Sequence, residues 1–192
     1  MEYKNKVFTK EELKSITIED ASFIHCVFAG AHLRFTSFLR CTFMECDFSQ
    51  VMFDMTNFTS CTFKESKLSY LDFSEVALKT CKFFHARMVG CVFHTFKSGA
   101  KNIHVQCDLR SCMFEESDLS ETVFIRCNCS KVNFRYTNLS HVVFEKCDLT
   151  EADMNGATVA GTNFESSKID RTILNIDGFI TYGASKGFVV GV

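Results

Sequence analysis

The amino-acid sequence has no surplus of positive charge and no long apolar run. Its 21 Lys and Arg against 23 Asp and Glu give a formal net charge of −2, whereas binding to phosphates needs clustered cations. A membrane span would need about 18 consecutive apolar residues, and the opening stretch MEYKNKVFTKEELKSI holds no apolar run of the signal-peptide type. We therefore expect a cytoplasmic protein without membrane contact or direct nucleic-acid binding.

Patterns that mark catalytic and cofactor sites are missing as well. The chain has no Gly-rich phosphate loop, no Gly-x-Ser-x-Gly elbow and no Cys-x-x-Cys pair of the zinc-site type. Its six histidines are scattered, and acid pairs such as Glu115 and Glu116 come with no sign of a pocket. We expect neither an enzyme nor a bound cofactor or metal ion.

What the sequence does have is an apolar residue at every fifth position. The period is clearest in CTFMECDFSQVMFDMTNFTSCTF, residues 41–63; it runs from Ile18 to Phe93 and again, one residue out of phase, from Leu109 to Leu174. A period of five fits neither an amphipathic helix nor a strand, so the chain is predicted to be a solenoid that turns a corner every five residues. The aromatic residues predicted to fill its core include Phe43, Phe48, Phe53, Phe58, Phe63, Phe114, Phe124, Phe134 and Phe144.

Individual units of this repeat resemble those of the pentapeptide-repeat family, in which a small residue and Asp or Asn precede Leu or Phe and two polar residues. Matching units include CDFSQ (46–50), TNFTS (56–60), SDLSE (117–121), TNLSH (137–141) and CDLTE (147–151). The resemblance extends over residues 16–174. It implies an all-β fold, a right-handed quadrilateral parallel β-helix of about eight turns with about 20 residues in each.

The cysteines follow the same repeat. All but one of the 11 stand two places before a large apolar residue, and Cys129 takes a large-residue position itself. In a turn of about 20 residues, Cys41, Cys61 and Cys81 would align in a ladder, as would Cys107, Cys127 and Cys147. Because a thiol is small and readily buried and no secretion signal is present, we interpret them as reduced core residues rather than as metal or redox sites.

The repeat is interrupted at 94–106 and absent from both ends. Leu109 follows Phe93 by three repeats plus one extra residue, which predicts either a bulge or a short projecting loop with a turn at Ser98-Gly99. The basic residues here are candidates for contacting a partner, although a register slip with solvated lysines is the simpler interpretation; they are His94, Lys97, Lys101 and His104. Residues 1–15 are expected to cover the N-terminal end as a helical turn or an irregular first rung.

Residues 175–192, NIDGFITYGASKGFVVGV, leave the repeat and carry many apolar side chains. An open solenoid exposes core and unpaired backbone at its last rung, so this tail is expected either to cap its own chain or to pair with a second copy about a two-fold axis. The resemblance implies such a homodimer. The candidate dimerisation residues are Phe179, Ile180, Tyr182, Phe188, Val189 and Val190.

A function is implied only by the resemblance, which is to the Qnr-type quinolone-resistance and microcin-immunity members of the family. It implies a non-enzymatic DNA mimic that binds a type II topoisomerase, DNA gyrase, and protects it from quinolones or topoisomerase-poisoning peptides. Residues 105–174 contain eleven Asp and Glu against seven Lys and Arg, a net −4, and the topoisomerase-facing candidates are Glu115, Glu116, Asp118, Glu121, Asp148 and Glu151. The alternative is a rigid adaptor or scaffold for another protein.

Overall fold

The computed structural model describes residues 1–94, 96–98, 103–105 and 107–191, and nearly all of its regular structure is short β-strands. The strands are β1 (Glu2–Lys4), β2 (Thr17–Glu19), β3 (Ser22–Ile24), β4 (His32–Arg34), β5 (Ser37–Leu39), β6 (Thr42–Met44), β7 (Met52–Asp54), β8 (Thr56–Thr59), β9 (Thr62–Lys64), β10 (Val76–Lys79), β11 (Lys82–Phe84), β12 (Val92–His94), β13 (Phe96–Ser98), β14 (Ile103–Val105), β15 (Val123–Ile125) and β16 (Val143–Glu145). The one helix among the described residues is α1 (Ile176–Ser185).

Strands of successive turns lie above one another and pair in parallel. Phe23 pairs with Phe43, and Phe43 with Phe63, so each turn consists of four repeats. The result is a parallel β-solenoid of about seven turns, as the period predicts. We number its four walls by their inward residues: the first holds Tyr3, Phe23 and Phe43, the second Phe8, Phe28 and Phe48, the third Leu13, Leu33 and Phe53, and the fourth Ile18, Phe38 and Phe58.

The corners between walls are made by left-handed backbone at every fifth residue. Glu45 (φ 52°), Gln50 (φ 58°) and Met55 (φ 52°) form three successive corners. The two positions before each corner alternate between an inward and an outward side chain, as in a strand. A left-handed residue is costly for a side chain other than glycine, and the ladder of parallel hydrogen bonds above and below each turn offsets this cost.

The core is a set of aromatic stacks that run along the solenoid. Ring centroids lie 4.8 to 4.9 Å apart from Phe23 through Phe43 and Phe63 to Phe83. The predicted core residues are buried with one exception, Phe53, which is half-buried. Phe53 follows Leu33 in its column, and its ring is tilted by 35° against that of Phe73, so it is not held between two parallel rings.

The interruption of the repeat is a β-hairpin that leaves the solenoid. Phe83 stacks on Phe114 and Val92 pairs with Val123, so the offset here is one normal turn plus eleven residues. The chain leaves the third wall after His94, β13 and β14 pair antiparallel, and the chain rejoins at the fourth wall with Cys107. The structure thus selects the projecting loop over the bulge, and the solenoid has about seven turns rather than eight.

The N-terminal residues continue the coil. β1 pairs with β3, and Phe8 stacks on Phe28 with 4.7 Å between ring centroids, so the period of five extends back through Leu13 and Phe8 to Tyr3. The Lys6 ammonium lies 4.6 Å from the centroid of the Phe8 ring and 2.5 Å from the Glu12 carboxylate. This charged side chain covers the end of the aromatic core.

The C-terminal end is covered by α1, which sequence patterns had not predicted. Asn175 is its N-cap, and its side-chain oxygen accepts a hydrogen bond from the Gly178 amide at 3.1 Å. Asp177 in the first turn complements the helix dipole. Asn175 as a possible N-cap, followed by an acidic residue in the first turn, is the sequence signal that could have predicted this helix.

Candidate protein-binding surfaces

Four of the six predicted acidic residues lie together on one turn of the coil. Glu115 is on the first wall, Glu116 (φ 57°) makes the corner between the first and second walls, Asp118 is on the second wall, and Glu121 (φ 62°) makes its far corner. We call this stretch, residues 115–121, the acidic segment. It places four carboxylates on two adjacent walls within a single turn.

The carboxylates of the acidic segment mostly accept hydrogen bonds from neutral groups. Glu115 accepts from the Asn133 amide at 3.3 Å, Asp118 accepts from Ser120 and Asn138, and Glu116 lies 2.9 Å from His85. Within the described part of the chain, Glu115, Asp118 and Glu121 form no ion pair. Their negative charge therefore remains available to a partner.

The other two acidic candidates are elsewhere and are paired. Asp148 lies on the fourth wall with Lys168 at 3.8 Å, and hydrogen bonds from Thr150 hold the pKa of its carboxyl below the usual range. Glu151 lies at the corner of the fourth and first walls with Lys131 at 3.7 Å. The six residues therefore do not form one surface, because net charge along the chain does not tell which wall a residue occupies.

The basic candidates of the interruption are divided between coil and hairpin. His94 belongs to β12, where it pairs with Ile125 and its ring lies 4.0 Å from Asp72. Lys97 and His104 are opposite each other in the hairpin. Lys101 lies outside the described residues.

The tail forms an exposed apolar surface over the C-terminal end. Ile176, Phe179 and Ile180 share one face of α1 and are 78%, 62% and 46% exposed. The segment after the helix also exposes Phe188, Val189 and Val190. Tyr182 is the exception among the predicted dimerisation residues, since it is half-buried against Phe164 with 5.4 Å between ring centroids.

The cysteines are core residues, as their spacing predicts. All 11 are free thiols, and all but Cys107 are buried. Burial raises the pKa of Cys46 to about 12 and that of Cys81 to about 11, which keeps both protonated. In the part of the chain that the structure describes, no group of His, Cys, Asp and Glu is arranged to hold a metal ion, and no helix has the length and apolarity needed to span a bilayer.

Two surface features were not found by sequence reasoning. Lys67, Lys82 and Arg87 lie on the first and second walls just before the acidic segment and make no ion pair with other described residues. Phe35 and Met55 occupy consecutive left-handed corners of one column, φ 53° and 52°, and are about half exposed. The repeat alone predicts the wall or corner of each of these residues. Predicting that the basic residues precede the acidic segment also requires that the eleven extra residues of the hairpin are not counted as part of a turn.

The chain belongs to the pentapeptide-repeat family. The profile of the pentapeptide repeat region matches residues 16–94 and 103–174, so the gap in the match falls within the interruption of the repeat. No curated protein sequence matches the chain.

Solved structures that resemble this chain include two proteins with different biological roles. The chain is similar to a trypsin-treated variant of QnrB1, a plasmid-mediated fluoroquinolone resistance protein, with a TM-score of 0.54 and 16% identity over 100% of this chain and 99% of that one. HetL, a pentapeptide repeat protein involved in heterocyst differentiation regulation in the cyanobacterium Nostoc sp. strain PCC 7120, matches with a TM-score of 0.33 and 11% identity over 88% and 84%. The likeness to QnrB1 shows a shared fold.

Proposed function

We propose that this protein is a non-enzymatic DNA mimic that binds a type II topoisomerase, DNA gyrase, and protects it from quinolones or topoisomerase-poisoning peptides. The observation that carries the proposal is the acidic segment, where carboxylates outside ion pairs lie on two adjacent walls of a narrow rod. Such an array suits a cationic saddle that normally receives DNA phosphates. The fold is similar over the full chain to that of a fluoroquinolone resistance protein, and this shared rod shape supports the proposal.

A supercoiling assay with purified gyrase and a fluoroquinolone tests this function. We expect the protein to restore supercoiling in the presence of the drug, and the variant Glu115→Lys, Glu116→Lys, Glu121→Lys to lose the effect with an unchanged circular-dichroism spectrum. The matched control reverses the same number of charges on the other walls, in Glu75→Lys, Glu145→Lys, Asp170→Lys, and keeps activity. If neither protein nor variant affects gyrase at micromolar concentration, the topoisomerase proposal is wrong.

The apolar tail supports a homodimer as part of this proposal. Besides the apolar side chains of α1 and of the segment after it, Ile169 and Ile173 in the last turn are about half exposed. A patch of this kind at the open end of a solenoid is typical of an interface. A two-fold axis there would place two acidic segments in one longer rod.

A rigid adaptor for another protein is the second candidate. The pair Phe35 and Met55 favours it, because bulky apolar residues at exposed left-handed corners carry a conformational cost that hydration does not offset. If gyrase is unaffected, capture of a partner by the parent protein, and its loss in Phe35→Ser, Met55→Ser, would support the adaptor.

A further inference from the structure

We infer that the edge between the third and fourth walls binds an amphipathic α-helix of a partner protein, one whose apolar face ends in Lys or Arg. Such a partner belongs to the adaptor, the second candidate above, on which this inference rests; the topoisomerase proposal is independent of it. The surface consists of three large apolar side chains, followed one turn later by two carboxylates. We call it the edge patch, and its residues are Phe35, Met52, Met55, Asp72 and Glu75.

The apolar half of the edge patch is exposed to solvent within two adjacent turns. Phe35, Met52 and Met55 are 50%, 51% and 48% exposed. Phe35 and Met55 make consecutive corners of the coil, and Met52 lies on the third wall of the same turn as Met55. Exposed apolar side chains gathered on one surface mark a site of interaction, and methionine adapts its shape to different partners. This half therefore suits the apolar side chains of a partner.

The charges that lie among these apolar side chains are already paired. The Arg34 guanidinium is 2.8 Å from the Asp54 carboxylate and 5.0 Å from the centre of the Phe35 ring. Covering a charge is most costly when it has no partner of opposite sign. A helix that packs on the apolar half therefore leaves no single buried charge beneath it.

The acidic half of the edge patch has an excess of negative charge. Asp72 lies on the third wall one turn after Met52, and its carboxylate is 4.0 Å from the His94 ring. Glu75 lies at the corner one turn after Met55, where its carbonyl accepts a hydrogen bond from the Thr56 amide. Among the residues that the structure describes, Glu75 has no ion-pair partner. Because complementary charges fix the orientation of a partner, these carboxylates favour Lys or Arg at one end of its apolar face.

The spacing of the edge patch suits a helix that lies along the rod. Its side chains recur once per turn of the coil, about every 4.8 Å, and an α-helix presents side chains on one face about every 5.4 Å. An extended peptide would present them about every 6.6 Å, which falls out of step within two turns. Apolar residues at i and i+4 of the helix would therefore contact Phe35 and Met55, and a cation at i+7 or i+8 would face Glu75.

The surface beside the edge patch leaves room for such a helix. The outward residues of the fourth wall nearest this corner are small, namely Ser37, Asn57 and Ala77. The hairpin begins after His94, one turn beyond Glu75. The edge patch therefore lies entirely on the N-terminal side of the hairpin.

Two synthetic helices test this partner class. The first is a fluorescein-labelled peptide of about 18 residues, built from Ala and Gln with Leu at i and i+4 and Lys at i+7 and i+8. The second has Glu in place of the two Lys. In fluorescence anisotropy with the full-length protein, the first peptide should bind at micromolar concentration and the second at least about tenfold more weakly. Phe35→Ser, Met55→Ser should lose at least about tenfold in affinity for the first peptide, and the matched apolar variant Phe35→Leu, Met55→Leu should keep it.

Charge exchange is the decisive comparison. Glu75→Lys should bind the second peptide more tightly than the first, and the control Asp170→Lys, on the fourth wall, should keep the parent's preference. No binding of either peptide, or equal binding of both, would overturn the inference. Unchanged affinity in Phe35→Ser, Met55→Ser would do the same, as would self-association of the parent that this variant loses, since a second copy would then cover the edge patch. Lost peptide binding with retained action on gyrase would support a surface separate from the topoisomerase proposal.

Discussion

Each position in the five-residue unit has one physical task. The central residue fills the core, the residue two places before it fits beneath the next turn, and the last residue adopts a left-handed conformation. Thr56 shows the second task, since its hydroxyl is buried and donates to the Leu33 carbonyl of the turn below. Thr and Cys both suit this position, because a short side chain reaches that carbonyl without displacing the stack.

Gly90 is a corner where the lack of a side chain matters. Its φ is +65°, and a Cβ there would lie 2.6 Å from the Tyr70 ring. We expect Gly90→Ala to destabilise the protein by more than the cost of about 1 kcal/mol for a left-handed non-glycine residue, because the Tyr70 ring must also move. The matched control is Gly30→Ala, at φ +71° with nothing near the added Cβ. Equal losses in urea unfolding would contradict this account.

The Phe134 ring fills the core between neighbouring turns. It is fully buried, stacks on Phe114 at 5.4 Å and meets Phe144 edge-on at 6.0 Å. Phe134→Ala should lower the free energy of unfolding by about 3 to 5 kcal/mol by opening a cavity. Phe53→Ala, at the half-buried position, should cost clearly less. A neutral result at Phe134 in denaturant unfolding would mean that the inward register is wrong.

The four walls are held by repetition, and the hairpin interrupts only one of them. The first wall continues across the interruption through Lys82 and Met113, the second through Arg87 and Asp118, and the third through Val92 and Val123. On the fourth wall the chain passes through the hairpin instead. The coil therefore does not require the hairpin's residues to keep its register.

Removing the hairpin tests this view. Deletion of residues 95–105 takes out eleven residues and leaves Leu109 one normal turn after Leu78, so we expect an unchanged circular-dichroism spectrum and a cooperative unfolding transition. Deletion of residues 95–104 is the control. It leaves the register wrong by one residue, which would turn inward side chains outward, and should destabilise the second half of the coil. Equal stability of the two deletions would show that the eleven-residue offset has another origin.

The two ends of the rod differ in how they are finished. The N-terminal end is closed by Lys6 and Glu12 over the Phe8 ring, whereas the C-terminal end carries a helix with an apolar outer face. Charged side chains at an edge prevent association, and an apolar face promotes it. Of the two ends, the C-terminal one is therefore the end at which we propose association.

The expected dimer can be tested by placing charge in that face. We expect the parent chain to have twice the monomer mass of 21.9 kDa in light scattering. Phe179→Asp, Ile180→Asp should have the monomer mass, because a buried unpaired carboxylate is costly. Val7→Asp, an exposed apolar residue at the other end, should stay dimeric. A monomeric parent would remove the dimer from the proposed function.

The fold could be predicted from the amino-acid pattern because one rule applies to almost every unit: the period of five identifies the residues that face inward, from Ile18 to Phe164. The rule fails at Ile169 in the last turn, which is 55% exposed. The same period also places Tyr3, Phe8 and Leu13 in the core, although residues 1–15 were expected to form a cap outside the repeat. The buried cysteine ladders follow from it as well, since spacing by a multiple of five decides burial without reference to the rest of the molecule.

The arrangement of the surface, in contrast, depends on contacts between turns. The stretch from Phe93 to Leu109 fits equally well as three repeats and one residue or as one repeat and eleven, and pairing between turns chooses the second. That choice places Arg87 beside Asp118. Packing within a five-residue unit does not restrict its outward side chains. Their neighbours lie on the turns above and below, and the local sequence pattern does not specify which residues those are.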